Sequence, residues 1–261
     1  MKVTRRTCSE KVQVVADATG VVSHVGSLLL VELADRLGLT AGLCHAMAPT
    51  RERRSAHDPG RVVRDLAVML AGGGDCVADL GALRDQVELH GVVASDSTAF
   101  RVIDSIDPVR LEEIRAARAS ARARAWAAGA RPAEIVLDID ATLVTSHSDK
   151  EGAAPTYKRG FGFHPMLCYL GGEALAGLLR PGNAGANTAA DHIGVLVDAL
   201  DQLPDEIRDD DAIPILVRTD AAGCTHEFLD AVVEMECTFS ASMRIDEPAR
   251  QAGGAQVFVY A

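Results

Sequence analysis

Residues 134–144, EIVLDIDATLV, limit the fold more than any other stretch of this chain. Ile135, Leu137, Ile139 and Leu143 fall on one face of a β-strand, and Asp138 and Asp140 fall together on the other. Two like charges two residues apart on a half-buried strand are costly unless paired, hydrogen-bonded or metal-bound. A second apolar run, PILVRTD, also ends in a carboxylate, Asp220, and is followed by AAG, whose glycine permits a close approach of backbone or ligand.

The segments between these runs set their topology. GAAPTYKRGFGF reads as a glycine-punctuated hairpin linker. HPMLCYL and EALAGLLR read as two strands turning at Gly171-Gly172. Apolar Ile193, Leu196, Val197 and Leu200 keep helical spacing within a helix over 188–203. CTHEFLDAVVEM reads as a further helix and CTFSASMRI as a fifth strand. Strands are thus predicted over 134–144, 163–170, 173–179 and 213–219, with the first central and beside the fourth. This element order predicts an α/β fold: a ribonuclease H-like mixed five-stranded sheet with flanking helices. The same adjacency brings Asp140 and Asp220 together.

A small all-helical domain is predicted ahead of the sheet, the boundary falling at Gly129–Pro132 and dividing the chain into 1–131 and 132–261. Leu29, Leu33 and Leu37 form one stripe of a helix that stops near Gly38. A second short helix follows to Met47. Asp58 and Pro59 suit the N-cap and N1 of a helix over 60–71. Cys76–Glu88 reads as one more. Ser95 or Asp96 caps the next, with Phe100 and Ile103 expected inward. Asp107-Pro108 opens a long helix to Ala128, rich in helix formers.

Short helices separated by tight turns with basic residues between them suit a helix-turn-helix-like DNA-binding domain, and equally suit any small bundle with a solvated surface. The DNA-contact candidates are Arg51, Arg53, Arg54, Arg61 and Arg64 around the Asp58-Pro59-Gly60 turn. Arg115, Arg118 and Arg122 join them as a stripe along the long helix. Net charge is −11 overall, but residues 1–131 carry 18 Lys/Arg against 16 Asp/Glu, and residues 132–261 carry 8 against 21. Nucleic acid is therefore expected to meet local basic patches in the first half, and the acidic second half needs metal ions near any phosphate. Aromatic residues at 4% argue against a stacking platform for single strands.

Six cysteines without zinc spacing fit reduced thiols in a cytoplasmic protein. The basic N-terminus leads into no apolar core of a signal peptide, and the longest apolar runs fall far short of a membrane span. Oxygen donors such as Asp140 and Asp220, with Asp138 as a further candidate, suit Mg²⁺ or Mn²⁺ rather than zinc. Two divalent ions held about 4 Å apart can activate the attacking oxygen and stabilise the leaving one in phosphodiester cleavage. Glu227, Glu234 and Glu236 come soon after Asp220, all attached to the next helix or the strand beyond it.

The blocks HDPGRVVRDLAVMLAGGGDCVADLGALRD, SDSTAFRVID, VLDIDATLVTSHSDKEGAAPTYKRGFGFHPML, LLRPGNAGANTAADHI and ILVRTDAAGCTHEFLD resemble DDE-type (DDE domain group 1) transposases of bacterial insertion sequences. The likeness covers nearly all of residues 10–235. It implies a ribonuclease H-like catalytic domain, binding of double-stranded DNA at the element's terminal inverted repeats, and cut-and-paste movement of that DNA by a metal-dependent enzyme, with a homodimer on DNA as the expected assembly. Carried onto this chain, the first catalytic carboxylate corresponds to Asp140 and the second to Asp220. Lys158 and Arg159 correspond to phosphate contacts beside the site, and Asn183 and Asn187 to orienting residues. Members of the group continue beyond this length to a helix bearing a catalytic Glu, so the resemblance implies a C-terminally truncated, inactive copy lacking its third carboxylate. Two alternatives stand beside it. One is a non-catalytic DNA-binding remnant. The other is a haloacid-dehalogenase-like phosphatase, since DIDAT at 138–142 also fits a DxDxT signature, with Asp138 as nucleophile and Asp140 as acid/base.

Overall fold

The computed structural model describes residues 25–51, 56–185, 188–208, 210 and 212–242. Arg53, Arg54 and Asn187, named above, lie outside the described residues. The chain divides into two compact units, Met1–Gly129 and Ala130–Ala261.

In the first unit α1 (Ser27–Arg36) and α2 (Leu39–Met47) are joined at Gly38, which takes φ 72°. α3 (Pro59–Ala71) begins where sequence chemistry places it: Asp58 Oδ1 accepts from the Gly60 and Arg61 amides at 2.9 and 3.2 Å. A Cβ on Gly60 would lie 2.3 Å from backbone atoms of Leu43 and Cys44, so α3 meets α2 backbone to backbone. The predicted single helix over 76–88 is instead a 3-10 turn (Val77–Leu80), α4 (Gly81–Arg84) and α5 (Val87–His90), broken at Asp85-Gln86. Ser95 caps α6 (Asp96–Asp104), and Asp107 caps α7 (Pro108–Ala125) by accepting from the Arg110 amide at 2.7 Å. α7 runs into a wider turn ending near Gly129, whose φ of 98° stops the helix.

Val62, Val68, Met69, Leu80, Leu83, Val93, Ala94 and Ala99 form the core of this unit. α6 turns Ala99 and Val102 to it, while Phe100 and Ile103 are 58% and 42% exposed, the reverse of the expected orientation. Leu29 and Leu33 likewise face outward on α1, which buries Ser27 and Ala34 instead. In both helices the small residues make the close approach, and the bulky side chains lie on the opposite face.

The second unit holds a five-stranded sheet in the order β6-β5-β1-β7-β8. Its strands are β1 (Ile135–Ala141), β5 (Met166–Leu170), β6 (Glu173–Leu178), β7 (Ile215–Thr219) and β8 (Thr238–Ala241). β5 and β6 run antiparallel to their neighbours, and β1, β7 and β8 are mutually parallel. A mixed sheet with three leading meander strands and two parallel additions on the far side of β1 is the ribonuclease H-like arrangement. α8 (Ala189–Leu200) covers β6, β5 and β1, α9 (Asp205–Arg208) is a single turn, and α10 (His226–Glu234) packs against α8 and β8. Leu137, Met166, Cys168, Leu175, Val217, Leu196, Phe228 and Val232 are fully buried between these helices and the sheet.

The linker after β1 carries structure of its own. The expected strand 134–144 ends at Ala141, and β2 (Val144–Thr145), β3 (Ala154–Pro155) and β4 (Phe161–Phe163) form a separate three-stranded sheet, order β2-β4-β3. The expected strand 163–170 is divided between β4 and β5. Gly162 makes the small sheet possible: its φ is 154°, and a Cβ there would lie 2.0 Å from the Val144 carbonyl oxygen.

Candidate active site

β1 and β7 lie in parallel register from Ile135 beside Ile215 to Ile139 beside Thr219. The next residue on each chain is an aspartate, Asp140 and Asp220. Strand alternation puts Asp140 on the face opposite Leu137, and both aspartates are exposed at the C-terminal ends of these central strands. Asp140 Oδ1 accepts from the Ala141 amide at 2.8 Å, and Asp220 Oδ1 accepts from the Ala222 amide at 2.9 Å. Each Oδ2 is without a hydrogen-bond partner among the described residues.

The loop carrying Asp220 is held tightly. Its turn closes through the Gly223 amide to the Asp220 carbonyl (3.2 Å), and the Thr225 hydroxyl then caps α10 at the Phe228 amide (3.3 Å). A Cβ on Gly223 would lie 2.0 Å from Thr219 Oγ1, so the loop folds directly back onto the strand end.

Asp138 differs from Asp140 although the two share a face. Arg218, its register partner on β7, donates from Nε to Asp138 Oδ1 at 2.5 Å and from Nη2 to Oδ2 at 2.7 Å. Both oxygens are occupied by one guanidinium fork. The hydrogen bonds to Asp138, and then its charge, raise the Arg218 pKa further. Sequence reasoning passed over Arg218, since its relation to Asp138 exists only through the β1–β7 register. The topology speaks against the phosphatase alternative, since β1 pairs with antiparallel β5 and the chain reaches parallel β7 only after β5 and β6.

Glu227, Glu234 and Glu236 are exposed. Among the described residues no third carboxylate gathers with Asp140 and Asp220 so that ligand atoms lie within 4.8 Å. The one group of three that does so among those residues is Asp75, Cys76 and Asp79, in the other unit. It is accounted for by capping: Asp79 Oδ2 accepts from the Asp75 and Cys76 amides at 3.0 Å, and these bonds hold its carboxyl below the usual range.

The small sheet rises from the end of β1 that carries Asp140. Its β3–β4 hairpin tip is closed by the Thr156 amide to the Gly160 carbonyl at 2.8 Å and the Arg159 amide to the Thr156 carbonyl at 3.0 Å. Lys158 and Arg159 are exposed there; Arg159 adopts φ 63°, and the Lys158 ammonium sits 5.6 Å from the Tyr157 ring centre. Asn183 is exposed in the turn after β6. Beneath that turn Arg180 is buried, donating to the His164 and Gly185 carbonyls at 3.0 Å each and to Asp191.

The basic residues of the helical unit separate into two groups. Arg61 is exposed, and Arg51 lies 3.8 Å from Asp58. Arg64 is buried, 6% exposed, and hydrogen-bonded to Asp65 at 2.6 and 3.0 Å, so it belongs to the interior. Arg122 is buried as well, and Arg115 and Arg118 are half-buried. The expected phosphate stripe of α7 is therefore the inward side of that helix. α7 packs on α2 at Ala117, since a Cβ on Gly42 would lie 2.8 Å from the Ala117 Cβ, and Arg110 and Arg124 reach the Ala46 and Leu37 carbonyls from that side of the helix.

The fold is a ribonuclease H-like sheet with an aspartate, Asp140 or Asp220, at the end of each of its two central parallel strands. The sequence matches the family Transposase DDE domain group 1 over residues 5–254, and the chain belongs to that family. No curated protein matches the chain. Among solved structures it is similar to the Mos1 mariner paired-end complex with Mn (13% identity, TM-score 0.27, covering 72% of this chain and 61% of that one). It is similar also to the Mos1 transposase paired-end complex with left transposon end (12% identity, TM-score 0.28, 74% and 61%). The chain spans 61% of the length of those transposase chains.

Proposed function

We propose that this chain carries out the DNA-cleaving chemistry of a transposase, with Asp140 and Asp220 as its metal-holding carboxylates. The observation that supports the reading is the parallel β1–β7 register, which ends at Ile139 beside Thr219, with Asp140 and Asp220 the next residues. The donor set fits a divalent cation: oxygen ligands only, on exposed carboxylates, each with one oxygen uncommitted. Mg²⁺ or Mn²⁺ bound there would supply charge neutralisation and activation for attack on a phosphodiester. The chain's part is to hold the two carboxylates rigidly, Asp140 by the β1 ladder and Asp220 by the Gly223 turn. Lys158 and Arg159 offer cations for the DNA backbone.

The substrate of this reading is double-stranded DNA bearing the element's terminal inverted repeats, bound by a homodimer in the cytoplasm. The helical unit is its DNA-binding part, through Arg61 and Arg51. No helix among the described residues is long and apolar enough to cross a membrane.

Incubation of the purified chain with a DNA fragment carrying those repeats tests the proposal. Nicking dependent on Mn²⁺ or Mg²⁺ is expected. Asp140→Asn and Asp220→Asn should each lower nicking at least about a hundredfold. Metal-dependent nicking unchanged in both variants would refute the assignment.

A further inference from the structure

We propose that Arg218 acts as a latch that keeps Asp138 out of the metal centre and thereby sets the number of carboxylates available there. The inference rests on the reading of Asp140 and Asp220 as metal ligands. Asp138 shares a face of β1 with Asp140, one strand repeat away (roughly 7 Å between Cα atoms), and Arg218 stands in the same relation to Asp220 on β7. The exposed face of these two strands thus carries an ion pair, Asp138–Arg218, immediately behind a carboxylate pair, Asp140–Asp220.

The pair has little to do with stability. Its side chains are 40% and 54% exposed, and ion pairs in such surroundings contribute little to folding. Its consequence is local. The guanidinium engages both oxygens of Asp138, so a cation would have to compete with the arginine for that carboxylate. The arginine also adds a positive charge one repeat from the carboxylates that would hold a divalent ion, which opposes the ion's entry. A neutral side chain at 218 would remove that charge and release a third carboxylate on the correct face. Arg218 is therefore a positioning residue: it acts on the metal through Asp138 and touches neither metal nor substrate.

The test is titration of the full-length chain with Mn²⁺ alone, followed calorimetrically and by the electron paramagnetic resonance of free Mn²⁺. Thermal melting confirms that each variant is folded. Arg218→Ala should bind Mn²⁺ on the order of tenfold more tightly than the wild type. Arg218→Lys should stay near the wild-type affinity, and the double variant Asp138→Asn/Arg218→Ala should lose the gain. A merely structural role for Arg218 predicts equal or weaker binding in Arg218→Ala, and that result overturns the latch. A gain that survives Asp138→Asn overturns it too, by showing that the freed carboxylate is not its source. Asp140→Asn and Asp220→Asn, titrated in parallel, separate this failure from that of the underlying reading, which alone requires both to weaken binding.

Discussion

Arg180 and Asp191 form an ion pair at 3.1 Å that ties the end of β6 to the first turn of α8, with the arginine only 3% exposed. The same guanidinium holds the carbonyls of His164 and Gly185, so one side chain fastens the turn containing Asn183 to the strand connection before β5. Its Nη2 is buried without a hydrogen-bond partner among the described residues, and Asp191 is the carboxylate paired with this arginine there.

Removing that carboxylate should be costly. Breaking a buried pair by deleting one partner typically destabilises by several kcal/mol, since the remaining charge stays in the interior. Asp191→Ala should lower the unfolding free energy by about 3 kcal/mol. Urea denaturation measures it, and a loss below about 1 kcal/mol, the range of surface pairs, would show that the turn is held by other contacts.

Gly60 allows a second prediction, about the helical unit. Gly60→Ala adds a methyl 2.3 Å from the backbone of α2, where no rotamer change gives relief, so α3 must move. A destabilisation of about 1–3 kcal/mol is expected. Gly73 offers the control: its Cβ would meet nothing within 4 Å, and its φ of 95° confines the cost to the backbone.

The cysteines should separate by burial. Burial pushes the Cys168 thiol up to about 12, assisted by the Asp138 charge, and burial pushes Cys237 and Cys44 up to about 11. Among the described cysteines, iodoacetamide at pH 8 should modify exposed Cys76 first and leave Cys168 unreacted until the chain unfolds. The sign of the linkage follows from the same shifts. A thiol whose folded pKa lies above its unfolded value of 9.0 contributes stability that is fully present below pH 9 and is lost as pH rises towards 12. Cys168→Ala should therefore show a shallower fall in melting temperature above pH 9 than the wild type; an identical fall would contradict the assigned burial.

The sheet was legible because its strands announce themselves locally. Alternation in Ile135–Ile139, the apolar run ending at Asp220, and the glycine turn at 171–172 each fix an element without tertiary help. Asp58, Ser95 and Asp107 did the same for helix starts, since capping is a contact within one turn. What failed depends on partners distant in sequence. Phe100 and Ile103 looked like core residues because they are the bulky side chains of α6, yet Ala99 and Val102 make the contacts. The Arg115–Arg118–Arg122 stripe reads as wet because arginines usually are, yet Arg122 is buried and Arg115 and Arg118 are half-buried. The small sheet escaped notice because its strands are two or three residues long and rest on the φ of Gly162. At the candidate site, the positions of Asp140 and Asp220 at strand ends were legible in the sequence. Arg218 could not, because only the register shows that it faces Asp138.

The most direct measurement is Mn²⁺ binding to the full-length chain, compared among the wild type, Asp140→Asn, Asp220→Asn and the remote control Asp79→Asn. If Asp140 and Asp220 jointly hold the ion, the wild type and Asp79→Asn show the same saturable site, and each of the other variants weakens it by about 10–100-fold. Equal affinity in the wild type, Asp140→Asn and Asp220→Asn would contradict the account.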